Sequence, residues 1–147
     1  MLYNDIEILL AEDNIDDATL TIRALKKSGL TNKIQHVKDG AEALDFIYCR
    51  GNFAGRNFED QPRLILLDLK MPKVSGMEVL EALKSDPKTN TIPIVVLTSS
   101  KEDPDIKHCY ALGVNSYIVK PVESENFFHV LEKLGCYWMI HNVHPVK

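Results

Sequence analysis

Four places in the chain carry residues that could share one reaction: the acid pair Glu12-Asp13, Asp68, Thr98 and Lys120. Each follows a stretch suited to a β-strand: Ile6 to Ala11, Leu64 to Leu67, Ile94 to Leu97 and Ser116 to Val119. Three carboxylates brought together repel one another and raise one another's pKa unless a cation compensates. A hard divalent ion such as Mg²⁺ takes oxygen ligands and keeps several waters, which suits such a cluster. A phosphoryl group arriving at Asp68 would present three charged oxygens, for which a metal ion, an ammonium and a hydroxyl are fitting partners. The chemistry indicated is attack by the Asp68 carboxylate on phosphorus, giving an aspartyl phosphate, with Mg²⁺ as the cofactor.

Taken singly, each residue has an ordinary use. The acids after the first strand can cap a helix, an aspartate at a strand exit can form a turn, and Thr98 and Lys120-Pro121 can be plain loop residues. Their joint order at four strand ends is what is specific.

The central element is Leu64 to Leu67, four consecutive apolar residues that fit a strand buried on both faces. Around it the chain alternates. A strand at Ile6 to Ala11 precedes a helix from Asp16 to Ser28, with Ala18, Ile22 and Leu25 on one face and Gly29 as its stop. A short strand, Ile34 to Val37, leads to Asp39 as the N-cap of a helix reaching about Cys49, striped by Ala43, Leu44, Ile47 and Tyr48. Arg50 to Arg63 lacks periodicity and reads as a long connecting loop. After the central strand, Ser75 and Glu78 form a capping box for a helix to Lys84. Ile94 to Leu97, a helix from Asp103 to Leu112 ended by Gly113, and Ser116 to Val119 follow. Ser124 can cap a last helix whose stripe, Phe127, Leu131, Leu134 and Trp138, runs past Gly135. Strands alternating with helices imply right-handed crossovers and a parallel sheet covered on both faces. The expected fold is a doubly wound α/β domain with five strands in the order 2-1-3-4-5, a flavodoxin-like arrangement that delivers all the candidate residues to one sheet edge.

Composition narrows the classes. The 147 residues suit one domain, 1–147, with 135–147 as an extension of the last helix or a tail. A net charge of -4 argues against direct nucleic-acid binding. Neither an 18-residue apolar run nor a secretory leader stands in the sequence, so no membrane association and a cytoplasmic location are expected. Cys49, Cys109 and Cys136 are odd in number and widely spaced, as reduced thiols would be.

From about Ile6 to Leu134 the sequence resembles the receiver domains of two-component response regulators. The likeness rests on Glu12-Asp13, on Leu-Leu-Asp68-Leu-x-Met-Pro72 followed by Gly76, on Leu-Thr98-Ser and on Tyr117-Ile-x-Lys120-Pro121. It implies that Asp68 accepts a phosphoryl group from the phosphohistidine of a sensor histidine kinase, so that the protein is a phosphoacceptor, not an enzyme, though able to phosphorylate itself from small donors and to lose the group slowly. It also implies that Asp13, Asp68 and the Lys70 backbone carbonyl ligate Mg²⁺, that Glu12 holds a metal-bound water, and that Lys120 and Thr98 bind the phosphoryl oxygens. Thr98 and Tyr117 would form a switch read on the surface of helix four, strand five and helix five, and the Lys120-Pro121 peptide would be cis. Lys70 and Ser100 stand where receivers tune hydrolysis. The long Arg50 to Arg63 segment and Tyr137-Trp138 near the end resemble small stand-alone regulators paired with bacterial phytochrome kinases, which implies a homodimer without an output module.

Three other readings compete. A haloacid-dehalogenase-like phosphatase would need a second aspartate two residues after the nucleophile, where Lys70 stands. An FMN-binding flavodoxin would place its phosphate against the acidic first loop. A degenerate receiver would bind partners without phosphate. His141 and His144 permit a metal-binding tail but read more simply as surface histidines.

Overall fold

Leu64–Leu67 is fully buried along its length, as its unbroken apolar run requires. In the computed structural model, which describes residues 6–27, 33–120 and 125–137, this strand is β3. It lies between β1 (Ile8–Ala11) and β4 (Ile94–Thr98), with β2 (Ile34–Val37) and β5 (Ser116–Val119) at the edges. Every neighbouring pair is parallel, and the order is 2-1-3-4-5, as expected.

The alternation of side chains along each strand divides the core in two. Leu9, Ala11, Ile65, Leu67, Ile94 and Val96 face the layer formed by α2 (Gly40–Ile47), α3 (Gly76–Ser85) and α4 (Asp103–Ala111), packing with Phe46, Leu80 and Cys109. Ile8, Leu10, Leu64, Leu66, Val95 and Leu97 face α1 (Ile15–Lys27) and α5 (Glu125–Cys136), packing with Ala18, Leu25 and Leu131. Helix ends follow local chemistry. Asp39 accepts from Glu42 N at 2.8 Å and Ser75 Oγ from Glu78 N at 3.2 Å, each satisfying a first-turn donor.

Boundaries shift by a residue or two where fraying outweighs pattern. β1 begins at Ile8, not Ile6, and α2 ends at Ile47, where Cys49 turns the chain with φ 57°. α5 does continue past Gly135, with Leu131 fully buried. Cys49 and Cys109 are free thiols. Gly29, the Lys120-Pro121 bond, Ser124, Trp138, His141 and His144, and the side chains of Phe127, Phe128 and Cys136, lie outside what is described. Among the described residues no helix is long and apolar enough to cross a membrane.

The Arg50 to Arg63 segment is more than a connector. It makes a 3₁₀ turn at Gly51–Phe53 and folds onto the end of α2. The Phe53 ring packs edge-on against Phe46, centroids 5.1 Å apart. The buried Arg56 guanidinium lies 3.8 Å from the Phe46 ring centroid and donates to the Phe46 carbonyl and, at 2.7 Å, to that of Asp60. Gln61 Nε2 donates to the Ile47 carbonyl at 2.8 Å. Two side chains of the segment thus add to the pairing of the carbonyls at the end of α2, where the Phe46 carbonyl otherwise has only a long bond from Cys49 N. Aperiodic sequence gives no signal for such a contact. Phe53→Ala is expected to cost about 3 kcal/mol in urea unfolding, the scale of an aromatic removed from a core; a loss under about 1 kcal/mol would make the segment a mere connector.

Candidate functional site

Where β1 ends, the chain must turn into α1, and Asn14 makes the turn. Its side chain accepts from Asp17 N at 3.0 Å as an N-cap, while its own N–H donates to the Glu12 carboxylate at 3.2 Å. His36 Nε2 on β2 donates to the Glu12 carbonyl at 2.7 Å, bracing the same bend from the sheet edge. Asp68 leaves β3 at the same level, its N–H donating to the Ala11 carbonyl at 3.0 Å. Its Oδ1 accepts from Lys70 N at 3.3 Å, which turns the carboxylate back over the sheet end. A Cβ at Gly76 would stand 1.8 Å from the Asp68 carbonyl oxygen, so only glycine lets α3 start this close to the site.

The result is a compact acid cluster. One carboxylate oxygen from each of Glu12, Asp13 and Asp68 lies within 4.8 Å of the others, with Asp13 exposed and the other two buried. Lys120 enters from the end of β5, where its N–H donates to the Thr98 carbonyl at 2.8 Å. Its ammonium stands 2.7 Å from Glu12 Oε1, 2.8 Å from Asp17 Oδ2 and 3.4 Å from Asp68 Oδ2. Burial, with Asp68 alongside, pushes Glu12 up to about 7 even though the Lys120 ammonium pulls the other way. Burial alone would lower Lys120; its hydrogen bonds to Asp17 and Glu12 and the charges of Asp68 and Glu12 outweigh that and raise it.

Thr98 and Tyr117 belong to the adjoining strand ends. Thr98 is fully buried, and its hydroxyl accepts from Ser100 N at 3.4 Å. Tyr117 turns inward, its hydroxyl donating to the Ser100 carbonyl at 2.9 Å. The Ser100 hydroxyl in turn donates to Asp105 in the first turn of α4, at 2.6 Å. Of the expected residues, Glu12, Asp13, Asp68 and Lys120 are brought together, while Thr98 and Tyr117 meet through Ser100. Lys70 contributes its N–H to Asp68. Asp17 was not among the expected residues; an aspartate in the first turn of α1 is already accounted for by the helix N-terminus, and its contact with Lys120 comes only from the fold.

Comparison with known proteins decides the family. Residues 8–132 match the model of the response regulator receiver domain. The chain belongs to that family. It is 41% identical over 138 residues to the probable methanogenesis regulatory protein FilR2 of Methanothrix harundinacea, covering 94% of this chain and 86% of that one. It is 35% identical to response regulator Rcp1 of Synechocystis, covering 90% of this chain and 88% of that one. The Mn²⁺-bound structure of Rcp1 superposes with a TM-score of 0.86 over 96% of this chain and 99% of that one, at 33% identity. The phosphorylated cyanobacterial phytochrome response regulator RcpA does so with a TM-score of 0.86 at 38% identity, over the same shares. Receiver family and fold are therefore those expected from the sequence.

The donors available to a cation are all oxygens, and the carboxylates outnumber the one ammonium beside them, a set that fits a hard divalent ion. Without Lys120, Glu12 would be left buried with its charge uncompensated. Lys120→Met should lose about 1 kcal/mol or more in denaturant unfolding at about pH 8, where protonation of Glu12 caps the penalty. With the ammonium gone the folded pKa of Glu12 stands above its wild-type value of about 7, so the penalty relative to wild type grows as pH rises past about 7 and fades below it. A variant as stable as wild type at the higher pH would contradict the pairing.

Proposed function

We propose that this chain is a receiver, spanning 1–147 of the sequence, that takes a phosphoryl group onto Asp68 from the phosphohistidine of a sensor histidine kinase. The observation that carries the reading is Asp68 standing between a carboxylate cluster and the half-buried Lys120 ammonium, at the sheet end. An Asp68 oxygen forms the new bond to phosphorus as the nitrogen–phosphorus bond of the donor breaks and its electron pair returns to the imidazole. Lys120 supplies fixed positive charge for the transferring oxygens, and Thr98 a hydroxyl at the neighbouring strand end. Asp13, Asp68 and the Lys70 carbonyl would hold Mg²⁺, with Glu12 on a bound water, and the ion would neutralise phosphoryl charge.

The product has a built-in reader. Thr98, Ser100 and Tyr117 form one chain of contacts from the sheet end to the start of α4, so a pull on Thr98 by phosphoryl oxygens is felt by Tyr117 and Asp105. The surface of α4, β5 and α5, with Tyr110 and Tyr137 exposed, is the face through which partner binding or homodimerisation would respond. The likeness to RcpA, a cyanobacterial phytochrome response regulator, supports a phytochrome-type kinase as the donor.

The test is the intact mass after incubation with acetyl phosphate and Mg²⁺. One phosphoryl group is expected on wild type and none on Asp68→Asn or with EDTA; no uptake by wild type from either acetyl phosphate or a phosphorylated kinase would mean a phosphate-independent binding module. Thr98→Ala should still be phosphorylated but lose roughly fivefold or more of the phosphorylation-dependent gain in partner or self-association, measured by light scattering or calorimetry. An undiminished gain would contradict the coupling.

A further inference from the structure

The Lys120 ammonium is committed before any phosphoryl group arrives. It has three hydrogens to donate, and three carboxylates occupy them: Glu12 at 2.7 Å, Asp17 at 2.8 Å and Asp68 at 3.4 Å. The two short contacts go to β1's exit and to α1, and the long one goes to the phosphoacceptor. A phosphoryl group on Asp68 replaces the single carboxylate charge with a phosphoryl dianion, a net gain of about one negative charge, and its new acceptors stand beyond the present Asp68 contact, so Lys120 can meet them at charge-assisted distance only by shifting away from Glu12 or Asp17. Glu12 and Asp17 differ in what release costs. The Glu12 side chain is 1% exposed and would be left as a buried charge. Asp17 is 18% exposed and sits in the first turn of α1, where water and the unpaired helix N–H groups stabilise a released carboxylate.

Resting on the receiver reading above, we propose that Asp17 is a positioning residue that holds Lys120 back from Asp68 and yields it to the incoming phosphoryl group. Asp17 touches no reacting atom; it acts through Lys120. Its tether lowers the fraction of molecules whose ammonium is placed for phosphoryl oxygens, and so weakens phosphoryl binding relative to a site without it. Asp16, its exposed neighbour in the same turn, carries the same charge and serves as the control for charge alone.

The experiment is calorimetric titration of beryllofluoride, a phosphoryl mimic, into the full chain with saturating Mg²⁺. Asp17→Asn should bind it roughly threefold to tenfold more tightly than Asp16→Asn, and the gain should vanish when both are placed in a Lys120→Met background. Thermal melting of each variant confirms folding, since the Asp17 contact to the Asn14 cap is made by its backbone N–H and survives the substitution. Equal affinities for the two variants, weaker binding by Asp17→Asn, or a gain that persists without Lys120 would each overturn the proposal while leaving the receiver reading intact. A wild-type protein that binds no beryllofluoride would overturn both.

Discussion

A single ammonium stands where four carboxylates converge. Lys120 meets Glu12, Asp17 and Asp68 directly, and Asp13 completes the acid cluster at the mouth. In a half-buried setting such an excess of negative charge is not self-sustaining, and the pressure shows in Glu12, which burial and Asp68 hold up near about 7. The site is therefore built to attract positive charge and to put it beside Asp68. A phosphoryl group, itself anionic, can enter such a place only because that positive charge is supplied.

Everything else in the fold serves this convergence. The parallel order 2-1-3-4-5 brings the ends of β1, β3, β4 and β5 to one edge, so residues far apart in the chain become neighbours without long loops. Gly76 lets the backbone of α3 crowd against Asp68, and Asn14 turns β1 into α1 within three residues of the acid pair. On the far side, Ser100 joins Thr98, Tyr117 and Asp105, so the sheet end and α4 share one polar junction. The polar junction therefore runs from the end of β4 to the first turn of α4.

The strands were legible because their physics is local. Leu64–Leu67 is an unbroken apolar run, and such a run has little alternative to a strand between two covered neighbours. The acid pair, Asp68 and Lys120 could be found because each interrupts such a run. Asp17 could not be singled out by the same logic, since an aspartate in a first helical turn is already explained by the helix dipole. Its second use depends on a lysine more than a hundred positions away, 103 along the chain, which only the fold brings near. The Arg50 to Arg63 segment was opaque for a related reason. Its order comes from Phe53 and Arg56 meeting Phe46, a long-range fit that no period in the segment encodes.

The carboxylate excess around Lys120 fits a divalent cation held beside Asp68. The most direct measurement is the thermal unfolding of wild type and Asp13→Asn across a Mg²⁺ titration, because an ion that binds only the folded state raises its melting temperature. A saturable rise is expected for wild type, and Asp13→Asn, which removes the exposed carboxylate while leaving Lys120 and its partners in place, should largely abolish it. A wild type indifferent to Mg²⁺, or a rise that survives in Asp13→Asn, would contradict that reading of the cluster.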